Sequence, residues 1–340
     1  MSGGAAPGGG GAEALEREAA AFRDAASRVR AEVGKAFLGS PEIVEGVLAT
    51  ALAGGHVLLE GVPGLGKTLL VRSLARALGL SFARVQCTPD LLPADVVGTP
   101  VLVEGPAGAR DLRFRKGPVF AHLLLVDEIN RATPKTQSAL LEAMQEGAVT
   151  VSGETHPLPD PFLVLATENP VEMEGTYPLP EAELDRFLVK LLLPPPDRET
   201  LEEIVRQTTG EPGPSPEAVL DADRVRALRA SVRRVHLPGP VLRWIADLTL
   251  LTQPGRPGAP PAVEKYVRWG AGPRAAQALA LLARATALLD GRWNASFEDA
   301  RRHGLAVLRH RLVLSFEAEA EGATAEAVAA RALEAAGDPR

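Results

Sequence analysis

Eight consecutive residues, Gly61-Val62-Pro63-Gly64-Leu65-Gly66-Lys67-Thr68, constrain this chain more than any other stretch. They match G-x-x-x-x-G-K-[ST] at every position. Before them, His56-Val57-Leu58-Leu59-Glu60 is a short apolar run of the kind a buried strand shows. After them, Thr68 to Leu78 has helical spacing, with Leu70, Leu74 and Leu78 on one face and Gly79 as the stop. Strand, glycine-rich loop and helix in that order define the chemistry. Glycines let successive backbone N–H groups turn inward around an anion, and the helix presents its positive end to the same place. Lys67 adds a cation toward the β- and γ-phosphates, and Thr68 a hydroxyl for Mg²⁺. The stretch Gly61 to Thr68, with Leu69 behind it, is therefore a predicted nucleoside triphosphate site.

A second cluster narrows the reaction. Ala121-His122-Leu123-Leu124-Leu125-Val126 reads as a buried strand that delivers Asp127-Glu128 at its carboxyl end, where ligands bind in open α/β sheets. Asp127 can hold Mg²⁺ as the acidic partner of Thr68. Glu128 can polarise a water for in-line attack on the γ-phosphate. Transfer to water needs such a group, whereas a metabolite kinase needs a substrate pocket instead.

Composition removes other classes. The chain has 340 residues, enough for two domains. Its net charge is 37 − 43 = −6, so non-specific nucleic-acid binding is not the expectation. One cysteine, Cys87, excludes an internal disulfide and reads as a small buried hydrophobe. The six histidines form no metal-binding spacing. No window holds 18 apolar residues, so no membrane span is expected. Residues 1–12 read as a disordered glycine-rich tail without a secretory signal, and the protein as cytoplasmic.

Residues 13–36 form a predicted helix, and a second begins at Ser40-Pro41-Glu42, with Ser40 as its cap. Ser81 to Cys87 is a strand. Residues 88–118 read as loop and β-ribbon, with 101–103 pairing to 112–114 across a Gly105–Gly108 turn. Residues 134–147 are helical, and 149–158 make a small hairpin. Strands follow at 162–166 and 188–193, and Pro194-Pro195-Pro196 is a stiff linker. Everything after Asp197 reads as helix. One of these helices starts at the capping box Ser296-Phe297-Glu298-Asp299 and runs through Leu308.

Leu124-Leu125-Val126-Asp127-Glu128-Ile129-Asn130-Arg131-Ala132 resembles the Walker B signature of MoxR-type AAA+ ATPases. The blocks at 86–93, 135–146 and 179–187 are similar to that family as well, and the likeness runs from about Phe37 to Leu312. The resemblance implies an α/β P-loop NTPase: a five-stranded parallel core over 37–195 and a C-terminal α-helical lid over 197–318; the Ala/Glu-rich run over 323–336 reads as a further helix. It implies inserts at about 95–118 and at 149–158, ATP and Mg²⁺ as cofactors, and a homo-oligomeric, usually hexameric ring. It places Asn169 at sensor 1, Arg186 at the arginine finger, Arg274 at sensor 2, and Leu38-Gly39 against the adenine. On the residues alone, Asn169 could also form an Asx turn, and Arg186 a salt bridge with Asp185 or Glu183. Arg110, Arg113, Arg115 and Lys116 could contact substrate or be a solvated face.

The chain departs from the family pattern at Glu168 (Gln is usual), Ser40 (often Gln) and Gly272 (often Ser). Glu168 adds negative charge near the site, which bears on the rate. The implied function is an ATPase that remodels client proteins, often with a von Willebrand factor A-domain partner. A nucleic-acid motor and a nucleotide-gated scaffold with little turnover are the alternatives.

Overall fold

The structure, a computed structural model, describes residues 9–104, 110–170, 175–211 and 213–337. Residues 1–8 of the expected tail and the Gly105–Gly108 turn lie outside them. The chain divides into two compact units: residues 32–226, and residues 227–340 together with the N-terminal segment up to Ala31.

The chain opens with α1 (Gly9–Gly34) and α2 (Pro41–Ala53). There follow β1 (Val57–Glu60), α3 (Lys67–Ala77), β2 (Phe82–Gln86), α4 (Pro93–Val97), β3 (Gly98–Glu104), β4 (Arg110–Lys116), β5 (Leu123–Asp127) and α5 (Pro134–Glu146). Next come β6 (Ala148–Val151), β7 (Glu154–Pro157), β8 (Leu163–Glu168), α6 (Glu181–Leu184), β9 (Val189–Leu192) and α7 (Arg198–Thr209). The remainder is α8 (Ala222–Arg234), α9 (Gly239–Leu251), α10 (Pro261–Tyr266), β10 (Val267–Trp269), α11 (Pro273–Leu289), α12 (Phe297–Arg302), α13 (Gly304–Leu308), β11 (Val313–Leu314), α14 (Phe316–Ala320) and α15 (Ala325–Ala336).

Five strands form a parallel sheet in the order β2-β5-β8-β1-β9. Leu58, Leu59, and Leu123 through Val126 are fully buried, as strands covered on both faces require. Register decides what meets at the carboxyl edge: Gln86 pairs with Asp127, and Glu60 with both Glu168 and Leu192. Cys87, just past β2, is fully buried, which pushes its thiol up to about 12. The unit extends beyond Pro194–Pro196, where the sequence places the end of the core, to residue 226. Val219 N–H donates to the Ala77 carbonyl at 2.8 Å. Gly79 has φ +63°, and a Cβ there would lie 2.1 Å from the Leu220 oxygen. That glycine both ends its helix and lets the returning chain approach.

Several local expectations change. The ribbon is longer than predicted, pairing Gly98↔Lys116 through Glu104↔Arg110, and α4 precedes it where only loop was expected. The Asp95 carboxylate accepts from Leu92 N–H at 2.9 Å and holds the start of that turn. Ser40 occupies the N-cap of α2 but does not cap it; its hydroxyl donates to the Glu42 carboxylate instead. The first helix spans 9–34, not 13–36: it ends at Gly34, a poor helix former, and the N–H groups of Lys35 and Ala36 turn to the Glu32 and Val33 carbonyls three residues back. Phe114 of the ribbon stacks on His156 of the β6–β7 hairpin, with centroids 4.1 Å apart at 12°.

Among its described residues the second unit is mostly helical. β10 and β11 pair antiparallel, Val267↔Leu314, where only helix was expected. Neither strand spans a full helical turn, and they are far apart in sequence, so no local pattern announces them. The Ser296–Asp299 capping box forms, with Ser296 Oγ accepting from Asp299 N–H at 3.3 Å and Asp299 Oδ2 accepting from Ser296 N–H at 2.7 Å. The helix it starts breaks at His303, whose Nε2 lies 2.7 Å from Thr286 Oγ1, and α13 continues beyond. α15 buries Val328, Ala329 and Ala332. Among the described residues no helix is long and apolar enough to cross a membrane.

Candidate nucleotide site

The loop from Gly61 to Gly66 joins β1 to α3. Gly64 and Gly66 have φ of 86° and 77°, conformations that glycine alone adopts at little cost. Gly66 is the N-cap of α3, so the free N–H groups of that helix open onto the loop. Val62, Pro63 and Gly64 are exposed. Gly61 N–H donates to the Glu168 carbonyl at 3.3 Å, which anchors the loop's origin to β8. Lys67 is 8% exposed, and its Nζ donates to the Gly61 carbonyl at 2.6 Å, with the Glu168 carbonyl at 3.5 Å. Burial lowers the Lys67 pKa and prevails over the opposing pull of Asp127, Glu128 and Glu60.

At the end of β5, Asp127 Oδ1 accepts from Thr167 Oγ1 at 2.7 Å. Its Oδ2 accepts from Arg84 Nε at 3.1 Å and Nη2 at 2.7 Å. Glu128 stands in the left-handed region, φ 57° and ψ 55°, which is costly for a residue with a side chain. Its N–H donates to Thr167 Oγ1 at 2.8 Å. One hydroxyl therefore holds both acidic residues, donating to Asp127 and accepting from Glu128. The Glu128 Oε2 accepts from Gln86 Nε2 at 3.0 Å and Arg131 Nη1 at 3.2 Å. Arg84, Gln86 and Thr167 were missed in the sequence. A signal existed for two of them: Arg84 and Gln86 alternate with buried Val85 and Cys87, placing two polar groups on one face at the strand's end.

Asn169 is buried directly after β8. The Glu168 charge that the sequence left exposed to the site is paired: Lys190 Nζ lies 3.3 Å from its Oε2 and 2.6 Å from Glu60 Oε2. Burial raises the Glu168 pKa against the pull of Lys190. Burial also pulls Lys190 down, but Glu168 and Glu60 outweigh it and its pKa is raised. Arg186 is half-buried, and its Nη1 donates to the Leu141 carbonyl of α5 at 2.8 Å. Arg274 is exposed in the first turn of α11, in the other unit.

Beside the loop lies a cavity of about 560 Å³, mostly apolar. Leu38, Gly39, Gly64, Leu65, Gly66 and Leu69 line it, so it is continuous with the glycine-rich loop. Phe37, Pro194 and Ile204 line it too, unforeseen because α7 and the proline run fold back over the 36–43 segment. The volume suits a nucleoside. The Thr68 hydroxyl and Asp127 carboxylate are hard oxygen donors that fit Mg²⁺, an ion that keeps waters and takes other ligands from phosphates.

The sequence profile of the ATPase family associated with various cellular activities (AAA) matches residues 56–189, and that of the AAA lid domain matches 261–332. A Mycobacterium tuberculosis protein named Chaperone MoxR1 is 39% identical over 331 residues, 97% of this chain and 86% of its own length. The uncharacterized protein YeaC of Bacillus subtilis is 42% identical over 297 residues, 87% of this chain and 89% of its own. A crystal structure from Cytophaga hutchinsonii, provisionally described as that of an ATPase, superposes with a TM-score of 0.88 at 38% identity, covering 96% of this chain and 98% of that one.

Proposed function

Because the chain belongs to the MoxR family of AAA+ ATPases, we propose that it hydrolyses MgATP in a homo-oligomeric ring and uses the cycle to remodel or activate client proteins. The observation that carries this reading is the meeting of Lys67, Asp127 and Glu128 at the edge of the sheet, with Thr167 holding the two acidic residues in different settings.

The residues divide the work. The backbone of Gly61 to Leu69 cradles the phosphates, and Lys67 exchanges the neutral Gly61 carbonyl for a charged phosphate oxygen, a stronger acceptor. Leu38 and Gly39 pack against the adenine. Thr68 and Asp127 would hold Mg²⁺, which when bound offsets charge on the β- and γ-phosphates. Glu128 takes a proton from the attacking water once its carboxylate leaves Gln86 and Arg131. Asn169 orients that water. Arg186 leaves Leu141 to reach the ATP of a neighbouring subunit, and Arg274 contacts the γ-phosphate.

The ring is hexameric, the setting cytoplasmic, and the client is reached through a von Willebrand factor A-domain protein. Nucleic acid is disfavoured by the net charge of −6 and by acidic partners within the ribbon, Arg113 to Asp111 at 3.1 Å and Arg110 to Glu104 at 4.0 Å. A Glu128→Gln variant should bind ATP, fail to hydrolyse it and retain its client through a pull-down. Recovery of nucleic acid alone would overturn the remodelling role.

A further inference from the structure

Three neighbouring strands supply one knot of charge at the root of the phosphate loop: two end in it, and the third sends in a side chain from two residues before its own end. Glu60 closes β1 and Glu168 closes β8, paired in register; Lys190 lies on β9, the strand on the other side of β1. The Lys190 ammonium bridges both carboxylates, at 2.6 and 3.3 Å, and the side chains of Lys190, Glu60 and Glu168 are only 18%, 28% and 16% exposed. Two carboxylates share one ammonium, so the knot carries −2 + 1 = −1. Its members are joined to the loop through the main chain. Glu60 precedes Gly61, and the Glu168 carbonyl accepts from Gly61 N–H at 3.3 Å and faces Lys67 Nζ at 3.5 Å. Charge left uncompensated here lies beside the place a polyphosphate must enter, in surroundings that screen it poorly.

We propose that Lys190 is a positioning residue for nucleotide binding: it neutralises Glu60 and Glu168 so that the loop accepts a polyphosphate, and it sets how sharply the site favours ATP over ADP. This rests on the nucleotide-site reading above. The repulsion that Lys190 offsets grows with ligand charge. Its loss therefore weakens ATP more than ADP, which a purely structural role would not do.

The test compares dissociation constants for MgATP and MgADP by calorimetry, on variants whose fold is verified by circular dichroism. Lys190→Met keeps the apolar stem and removes the charge. It should weaken ATP about tenfold and ADP less, and adding Glu168→Gln should recover most of the loss. Glu168→Gln alone makes the knot neutral and should tighten ATP a few-fold. Equal weakening of both nucleotides without recovery in the double variant would overturn the proposal, as would unchanged affinity. If Lys190→Met does not fold, Glu168→Gln decides, and unchanged ATP affinity there also overturns it. Failure of the native protein to bind ATP would instead sink the nucleotide-site reading itself.

Discussion

Asp127 and Asp299 are both buried and both held by an arginine, yet the two regions around them are built for different ends. Asp299 takes Arg292 on both oxygens, at 2.7 and 2.9 Å, and caps its own helix through Ser296 N–H. Every strong interaction there closes on a neighbour. The same holds nearby, where His303 meets Thr286 and the Trp293 indole donates to the Leu15 carbonyl. Asp127 takes Arg84 on one oxygen only and sits beside Lys67 and a left-handed Glu128. Its surroundings hold charge that a ligand can rearrange. Polar groups of the first kind hold a fold together; those of the second kind hold it ready to bind. Changes in the two regions should therefore separate activity from stability.

The largest effect belongs to Arg186. Arg186→Ala should bind ATP and turn it over about 10³-fold more slowly, since a finger contributes roughly 10³–10⁵ in related phosphoryl transfers. Mixing it with Lys67→Ala subunits, which still carry Arg186, should restore hydrolysis. No gain above the separate variants, with co-assembly verified, would place Arg186 outside a neighbour's site. Next, Lys67→Ala should weaken ATP by about 100-fold or more. Its melting midpoint should move little, because the short bond of the Lys67 ammonium is to a loop carbonyl, at 2.6 Å, and its link to the Glu168 carbonyl of β8 is long, at 3.5 Å. A large drop in midpoint would blur the contrast between the regions.

In the second unit the readout is stability. Burial, then Arg302, presses the His303 pKa from 6.5 down to about 4, against the pull of Asp299. The folded chain holds this imidazole neutral, whereas the unfolded chain takes up a proton near 6.5. Its contribution is therefore complete above pH 6.5 and is lost as pH falls toward 4, at most about 3 kcal/mol. Denaturant melts of native protein and His303→Gln across that window should diverge accordingly. Smallest is Arg292→Ala, at about 2 kcal/mol, because Asp299 keeps its cap bond but loses its ion pair and the arginine is partly exposed. A changed hydrolysis rate at unchanged stability would move Arg292 into the other class.

Much of the nucleotide site is legible from the chain. Gly61 to Thr68 carries its conformation in its own residues: glycines with positive φ, then a helix start that needs only the next few amides. Asp127-Glu128 is similar, because an apolar strand of known direction must deliver its last residues to the carboxyl edge. The cavity walls were harder to read. Leu38 and Gly39 came from resemblance, and Phe37 and Ile204 from neither resemblance nor pattern, since they meet only when α7 returns over the loop.

What the sequence by itself determined is what depends on neighbours along the chain: the glycine-rich loop, the strand that ends in two acids, the capping box at Ser296. What only the tertiary structure decided is which charge stands beside which. Strand order is β2-β5-β8-β1-β9, so Arg84 reaches Asp127, Thr167 reaches both acids, and Lys190 reaches across Glu60 to Glu168. Those pairings follow register between strands distant in sequence. Register is set by burial of the whole sheet, which no short window of residues contains.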